Sequence, residues 1–182
     1  MPAITKTLIE EFFKITTKLK KIPRKGWKIK LGVVNPESVA DHSYSTSMIA
    51  MVFADIQKLD TVKVMKMSLL HDLAESIIGD FTPEEISKNE KNKLENNAIK
   101  KILNYLPPKQ SLEYLLIWKE YIKKQTDEAV LVHETDKFEM AVQAMNYYNE
   151  GFNKEKIKPF FDAAKNEINS EYMKKILAKF LP

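Results

Sequence analysis

Apolar residues at Ile4, Leu8, Phe12, Ile15 and Leu19 return every three or four positions, the spacing of one helix face. They predict a first helix from about Thr5 to Lys21, ending before Pro23. The stretch PRKGWKIKLGVVNPES that follows holds two prolines and two glycines and reads as a loop. Asn35 and Pro36 supply N-cap and first-turn chemistry, so a second helix is expected to begin there and run through Val39, Ser43, Met48, Val52 and Ile56. Asp60 and Thr61 open a third, VKVMKMSLLHDLAES, with Val64, Met67, Leu70 and Leu73 on its apolar face and a break at Gly79. Thr82, Pro83 and Glu85 resemble a capping box and predict another helix start. Two helical pieces follow, split by Pro107 and Pro108, with the polar run SKNEKNKLENN at 87–97 inside a helical pattern. Thr126 to Tyr148 is long, periodic and free of Gly and Pro, with acids in its first turn, and a last helical stretch closes near Leu181.

No segment alternates apolar and polar residues in a β-branched context, so the fold is expected to be all-α, a single compact helical bundle. With no linker visible, the whole of 1–182 reads as one domain. Composition agrees: 4 glycines are too few for an all-β sandwich or a glycine-rich phosphate loop, and 182 residues can bury a real core. No run approaches the ~18 to 20 uninterrupted apolar residues of a membrane span. The N-terminus mixes acids and lysines and does not read as a signal peptide. The absence of Cys rules out disulfides, thiolate zinc sites and cysteine nucleophiles, and with the rest suggests the cytoplasm. Net charge is +4, but the 29 basic and 25 acidic residues are interspersed, so nucleic acid is not an expected partner.

Nearly all the positive charge is lysine, and Arg24 is the single arginine. An arginine kept in such a background suggests a planar, bidentate donor for an oxyanion, with an ordinary surface charge as the alternative. Of the three histidines, His71 stands beside Asp72 inside the most apolar helical stretch, where an imidazole and a carboxylate are costly without a partner. A bound cation is such a partner, and nitrogen with oxygen ligands suits a divalent transition metal. His42, His71, Asp72 and Asp136 from three helices can converge as its ligands. Glu75, four residues after His71 and three after Asp72, shares their helix face and can act on a water there. Each of these residues has a plainer reading as a surface or hydrogen-bonded group, and Glu75 and Glu139 fit solvated ion-pair faces equally well. Trp27, in a glycine-containing loop, suits either a pocket wall or the core. His133 reads as a surface histidine, with an extra phosphate contact or a partner to Asp136 as alternatives.

The order of these residues resembles the H…HD…D pattern of the HD-domain metal-dependent phosphohydrolases. The blocks ESVADHSY at 37–44, LLHDLAESIIGDFTP at 69–83 and ETDKFEMAVQA at 134–144, with RKGW at 24–27, are similar to the HD-domain 5′-deoxynucleotidases. The resemblance spans about 24–148 and leaves C-terminal helices at 149–182 beyond the motif-bearing core. It implies that His42, His71, Asp72 and Asp136 bind one divalent metal ion, Mn²⁺ or Co²⁺ before Mg²⁺, Fe²⁺, Ni²⁺ or Zn²⁺. It implies catalytic roles for Glu75, which activates the water, and Asp80, which protonates the leaving oxygen or orients the phosphate. Arg24 would hold the phosphate and Trp27 would order the sugar side. Asp80, Phe81, Thr82 and Pro83 would form a substrate-facing turn. The implied activity is hydrolysis of deoxyribonucleoside 5′-monophosphates by a homodimer. Alternatives are an HD phosphohydrolase for a triphosphate, cyclic dinucleotide or alarmone, and a non-catalytic metal-containing helical protein that binds nucleic acid.

Overall fold

The first apolar stripe folds as α1 (Ala3–Lys18), tightening into a 3-10 turn at Leu19–Lys21 before Pro23. The protein is described by a computed structural model over residues 3–180, with side chains from Leu8 onward. Eight further helices follow among these residues: α2 (Val39–Gln57), α3 (Thr61–Leu70), α4 (Glu75–Ile78), α5 (Lys88–Leu103), α6 (Pro108–Lys123), α7 (Asp127–Asn149), α8 (Lys154–Glu167) and α9 (Glu171–Leu177). No strand is present among the described residues, and the chain is all-α as its periodicity predicts.

The expected start of α2 at Asn35 is corrected to Ser38. Ser38 Oγ accepts the Asp41 N–H at 3.2 Å while the Asp41 carboxylate accepts the Ser38 N–H at 2.9 Å, a complete capping box. Losing such a cap costs about 1 kcal/mol. The loop before it is also more ordered than its glycines suggest. Residues 22–24 pair with 37–39 through Val39 N–H to Ile22 C=O at 2.8 Å and Arg24 N–H to Glu37 C=O at 2.9 Å, and Trp27–Leu31 forms a π-helical turn ended by Gly32 at φ 79°. Closing the loop at its neck delivers Arg24 to the first turn of α2.

The single helix expected from Asp60 to Gly79 is interrupted. Asp60 caps α3 by accepting the Lys63 N–H at 3.0 Å, but the helix stops at Leu70 and resumes only at Glu75. In the turn between them His71 Nδ1–H donates to the Ser68 carbonyl at 2.6 Å and Ser76 Oγ to the Leu73 carbonyl at 2.7 Å. Side chains bonding to the helix's own carbonyls compete with its ladder, and the backbone shifts to i→i−3 bonds such as Glu75 N–H to Asp72 C=O at 3.0 Å. Gly79, at φ 80°, ends the segment as expected. Thr82 does not start a helix: Glu85 accepts its N–H at 2.9 Å, but Lys25 also draws Glu85 into an ion pair at 2.9 Å, and the chain only turns. α5 begins at Ser87 instead, boxed with Glu90.

The centre of the molecule is α2 and α7 packed together, with α3 against both and α8 on the far side of α7. Buried alanines at 50 and 54 on α2 and at 129, 141 and 144 on α7 leave little side chain between the axes, while Phe53, Met67 and Phe138 fill the remaining space. The last expected stretch is two helices, because Glu134 of α7 accepts the N–H groups of Asn169 and Ser170 at 2.8 and 3.3 Å and fixes a bend there. Leu177 and Met173 are buried, and Ile176 and Phe180 pack on the core, so this end completes the interior; Leu181 lies outside the described residues.

Candidate active site

His42 stands in the first turn of α2, His71 and Asp72 in the turn after α3, and Asp136 midway along α7. Their ligand atoms meet around His42 Nε2, which has Asp136 Oδ1 at 3.2 Å, His71 Nε2 at 3.4 Å and Asp72 Oδ2 at 3.6 Å. Asp72 Oδ2 is also 3.2 Å from His71 Nε2. Each imidazole spends its other nitrogen on the protein. His42 Nδ1–H donates to Glu139 Oε2 at 2.5 Å, and His71 Nδ1–H to the Ser68 carbonyl. That leaves a lone pair on each Nε2, and these face each other beside two carboxylates.

Ligand atoms of His42, His71 and Asp72 lie within 4.8 Å of one another, with Asp136 against His42; such electron-rich atoms repel unless a positive charge lies among them, and a nitrogen-and-oxygen set with oriented histidines suits a divalent metal ion. Without one, protons take the place. Burial and Arg24 push the His42 imidazolium down, but Asp136 and Glu139 outweigh them and raise it to about 10. Burial opposes ionisation of Asp72 and Asp136, yet His71, Arg24 and His42 hold Asp72, and Lys137 and His42 hold Asp136, well below the ordinary carboxylate range.

Glu75 is 1% exposed. One oxygen, Oε1, bonds to Lys91 Nζ at 3.1 Å, and the other, Oε2, is buried with no protein partner. Burial, reinforced by Asp72 and Asp80, raises its proton affinity well above the usual value, against the pull of Lys91 and Arg24. A buried carboxylate of raised affinity with a free oxygen beside a cation site has the properties of a general base. Arg24 Nη1 lies 3.4 Å from Asp72 Oδ2, the one hydrogen bond and ion pair its guanidinium makes among the described residues. Its remaining donors suit an anion at the same end. Asp80 accepts the Lys25 N–H at 2.7 Å and so ties the turn after α4 to the Arg24 loop. Phe81 lies under Lys25 Nζ, Thr82 keeps a buried hydroxyl without a partner, and Pro83 is exposed.

Two residues left open by the sequence are now placed. Trp27 packs in the core: it is 2% exposed, lies against Tyr147 and Phe160, and donates Nε1–H to Glu37 at 2.8 Å. His133 is half-buried, stacked on Tyr121 at 4.1 Å with Nε2–H donating to the Tyr121 carbonyl at 2.9 Å. Three partners went unrecognised. Glu139 is 3% exposed and orients His42, Lys137 Nζ pairs with Asp136 at 3.1 Å, and Lys91 holds Glu75. Only Glu139 carried a signal, its place three residues after Asp136 on one stripe of α7.

A helical bundle that gathers two histidines and two aspartates from α2, the α3–α4 turn and α7 around one point is of the HD type. The chain belongs to the HD-domain family, whose model matches residues 16–177. It is 42% identical over 177 residues to the 5′-deoxynucleotidase HDDC2 of Dictyostelium discoideum, covering 91% of this chain and 93% of that one. The human 5′-deoxynucleotidase HDDC2 is 34% identical over 160 residues, covering 87% of this chain and 78% of its own. A crystal structure from Pyrococcus horikoshii OT3 superposes with a TM-score of 0.80 at 33% identity, over 93% of this chain and 96% of that one.

Proposed function

We propose that the protein is a metal-dependent phosphomonoesterase that hydrolyses deoxyribonucleoside 5′-monophosphates to deoxyribonucleoside and phosphate. The observation that carries this is the buried Glu75 carboxylate, with one unpartnered oxygen, next to the His42–His71–Asp72–Asp136 cluster and Arg24. The relatives' activity supports the choice of substrate. His42, His71, Asp72 and Asp136 would hold the ion, with Mn²⁺ or Co²⁺ preferred for a mixed set of two nitrogens and two oxygens. When bound, the ion neutralises phosphoryl charge and makes water a better nucleophile near neutral pH.

The chain's own groups supply the rest. Glu75 Oε2 takes a proton from the attacking water, and Arg24 neutralises the phosphoryl oxygens. Asp80 keeps Arg24 in reach through Lys25, and delivers a proton to the departing 5′-oxygen or orients the phosphate. Phe81, Thr82 and Pro83 continue the substrate-facing turn, where the unbonded Thr82 hydroxyl offers a polar contact. Trp27 acts at one remove, through Glu37.

The test is phosphate release from a panel of deoxy- and ribonucleoside monophosphates, with chelated protein resupplied in turn with Mn²⁺, Co²⁺, Mg²⁺ and Zn²⁺. Metal-dependent release that favours the deoxynucleotides is expected. Release of pyrophosphate or triphosphate from larger nucleotides, with none from monophosphates, would overturn the substrate assignment.

The same reading takes 1–182 as one domain, since α8 and α9 pack on α7, and places it in the cytoplasm with its nucleotide substrate. No described helix is long and apolar enough to cross a membrane. A second copy of the chain is proposed on the face formed by α2 and α3. There Tyr44, Met48, Val52 and Ile56 recur every fourth residue and are exposed, as is Leu69 across an apolar groove of about 510 Å³. Light scattering is expected to give twice the 21.1 kDa of one chain, and M48E combined with L69E to give single chains. A wild-type mass of one chain would remove the dimer.

A further inference from the structure

We propose that Lys91, on α5, is a positioning residue for the hydrolysis: by holding one oxygen of Glu75 it keeps the other free and aimed at the water. The inference rests on the functional reading above, in which Glu75 is the base. Lys91 comes from a polar, lysine-rich stretch, yet its ammonium is turned inward, 3.1 Å from Glu75 Oε1 and 3.6 Å from Glu95 Oε1. Its origin is fixed as well, because Lys91 N–H bonds to the Ser87 carbonyl at 2.9 Å in the capped first turn of α5.

Glu75 needs such a hold. It sits on α4, only four residues long and following an irregular turn, and carries a three-rotor side chain into a site where Asp72 and Asp80 repel it and Arg24 attracts it. Left to those forces, the carboxylate would swing away from the aspartates or pair with Arg24, which would remove both base and phosphate clamp. Lys91 opposes this from α5, which packs directly on α4, and Glu95, one turn further along α5, braces the ammonium. Lysine suits the task as a compact charge that can touch two separate carboxylates. With Oε1 engaged, Oε2 is left as the one oxygen without a protein donor, as a base that must accept a proton requires.

Lys91→Met is expected to lower kcat about 100-fold, the scale of a 1 Å misplacement of a reacting group. KM and Mn²⁺ content should stay as in wild type. On a Glu75→Gln background the same substitution should cost almost nothing further, because the two residues act as one unit. Two results would overturn the inference: a rise in KM at unchanged kcat, which makes Lys91 a phosphate ligand, or a full additional loss in the double variant. Lys91→Gln carries the same measurements should the methionine variant not fold. If wild type releases phosphate from no monophosphate, the functional reading fails, and the positional claim is read from crystal structures of wild type and Lys91→Met. A Glu75 carboxylate that has moved supports it, and one that has not moved refutes it.

Discussion

Asp72→Ala is expected to abolish metal binding and phosphate release together. Asp72 Oδ2 alone touches three groups of the site, lying 3.2 Å from His71 Nε2, 3.6 Å from His42 Nε2 and 3.4 Å from Arg24 Nη1. Removing it takes away one of four candidate ligands and also the carboxylate that holds the arginine. Loss of an outer-shell partner alone typically costs 10- to 100-fold in metal affinity, so loss of a ligand should cost at least about 100-fold. With Arg24 released at the same time, turnover should fall to background. The measurement pairs metal content per chain after dialysis with phosphate release at saturating Mn²⁺, with thermal melting to show that the variant folds. A variant that keeps one metal ion per chain would remove Asp72 from the ligand set.

The candidate ligands stand out in the sequence because local pattern constrains them: His71 and Asp72 interrupt an apolar helix, and a polar group in such a place needs a partner. α7 was legible for the same kind of reason, since Thr126 caps it by accepting the Ala129 N–H and acids follow. What escaped depends on contacts between distant segments. Glu139 is sunk by a bond to a histidine 97 residues earlier, and the choice between core and pocket wall for Trp27 turns on its loop being closed at the neck by Ile22 and Val39. Seen locally, a tryptophan between lysines and glycines has no reason to be buried.

The break between α3 and α4 escaped for a different reason. VKVMKMSLLHDLAES holds no glycine or proline to mark a stop, and the interruption falls where His71 and Ser76 bond to carbonyls of the ladder. This departure from regular helix occurs where the chain presents the candidate residues His71, Asp72 and Glu75 from adjacent turns. Local consistency is given up at the candidate site, as is expected where function sets the geometry. Lys91 is the limiting case: a lysine in a run of lysines and asparagines, distinguished only by a partner 16 residues away.

Glu75→Gln should leave the metal in place and remove turnover. The substitution keeps the shape and size of a side chain that is 1% exposed, so no cavity opens. Its amide oxygen still accepts from Lys91 where Oε1 does now, at 3.1 Å. The change is confined to the other position, where an NH₂ that cannot accept a proton replaces Oε2. None of the four candidate ligands is altered, and Arg24 keeps Asp72, so metal content and KM should match wild type. kcat should fall by about 10²- to 10⁴-fold, the usual contribution of a positioned general base. The split matters more than the size. Loss of metal would make Glu75 a ligand, and a rise in KM alone would make it a substrate contact. Undiminished kcat would pass the proton to another carboxylate, and Asp80, buried on the adjoining turn, would be the next to test.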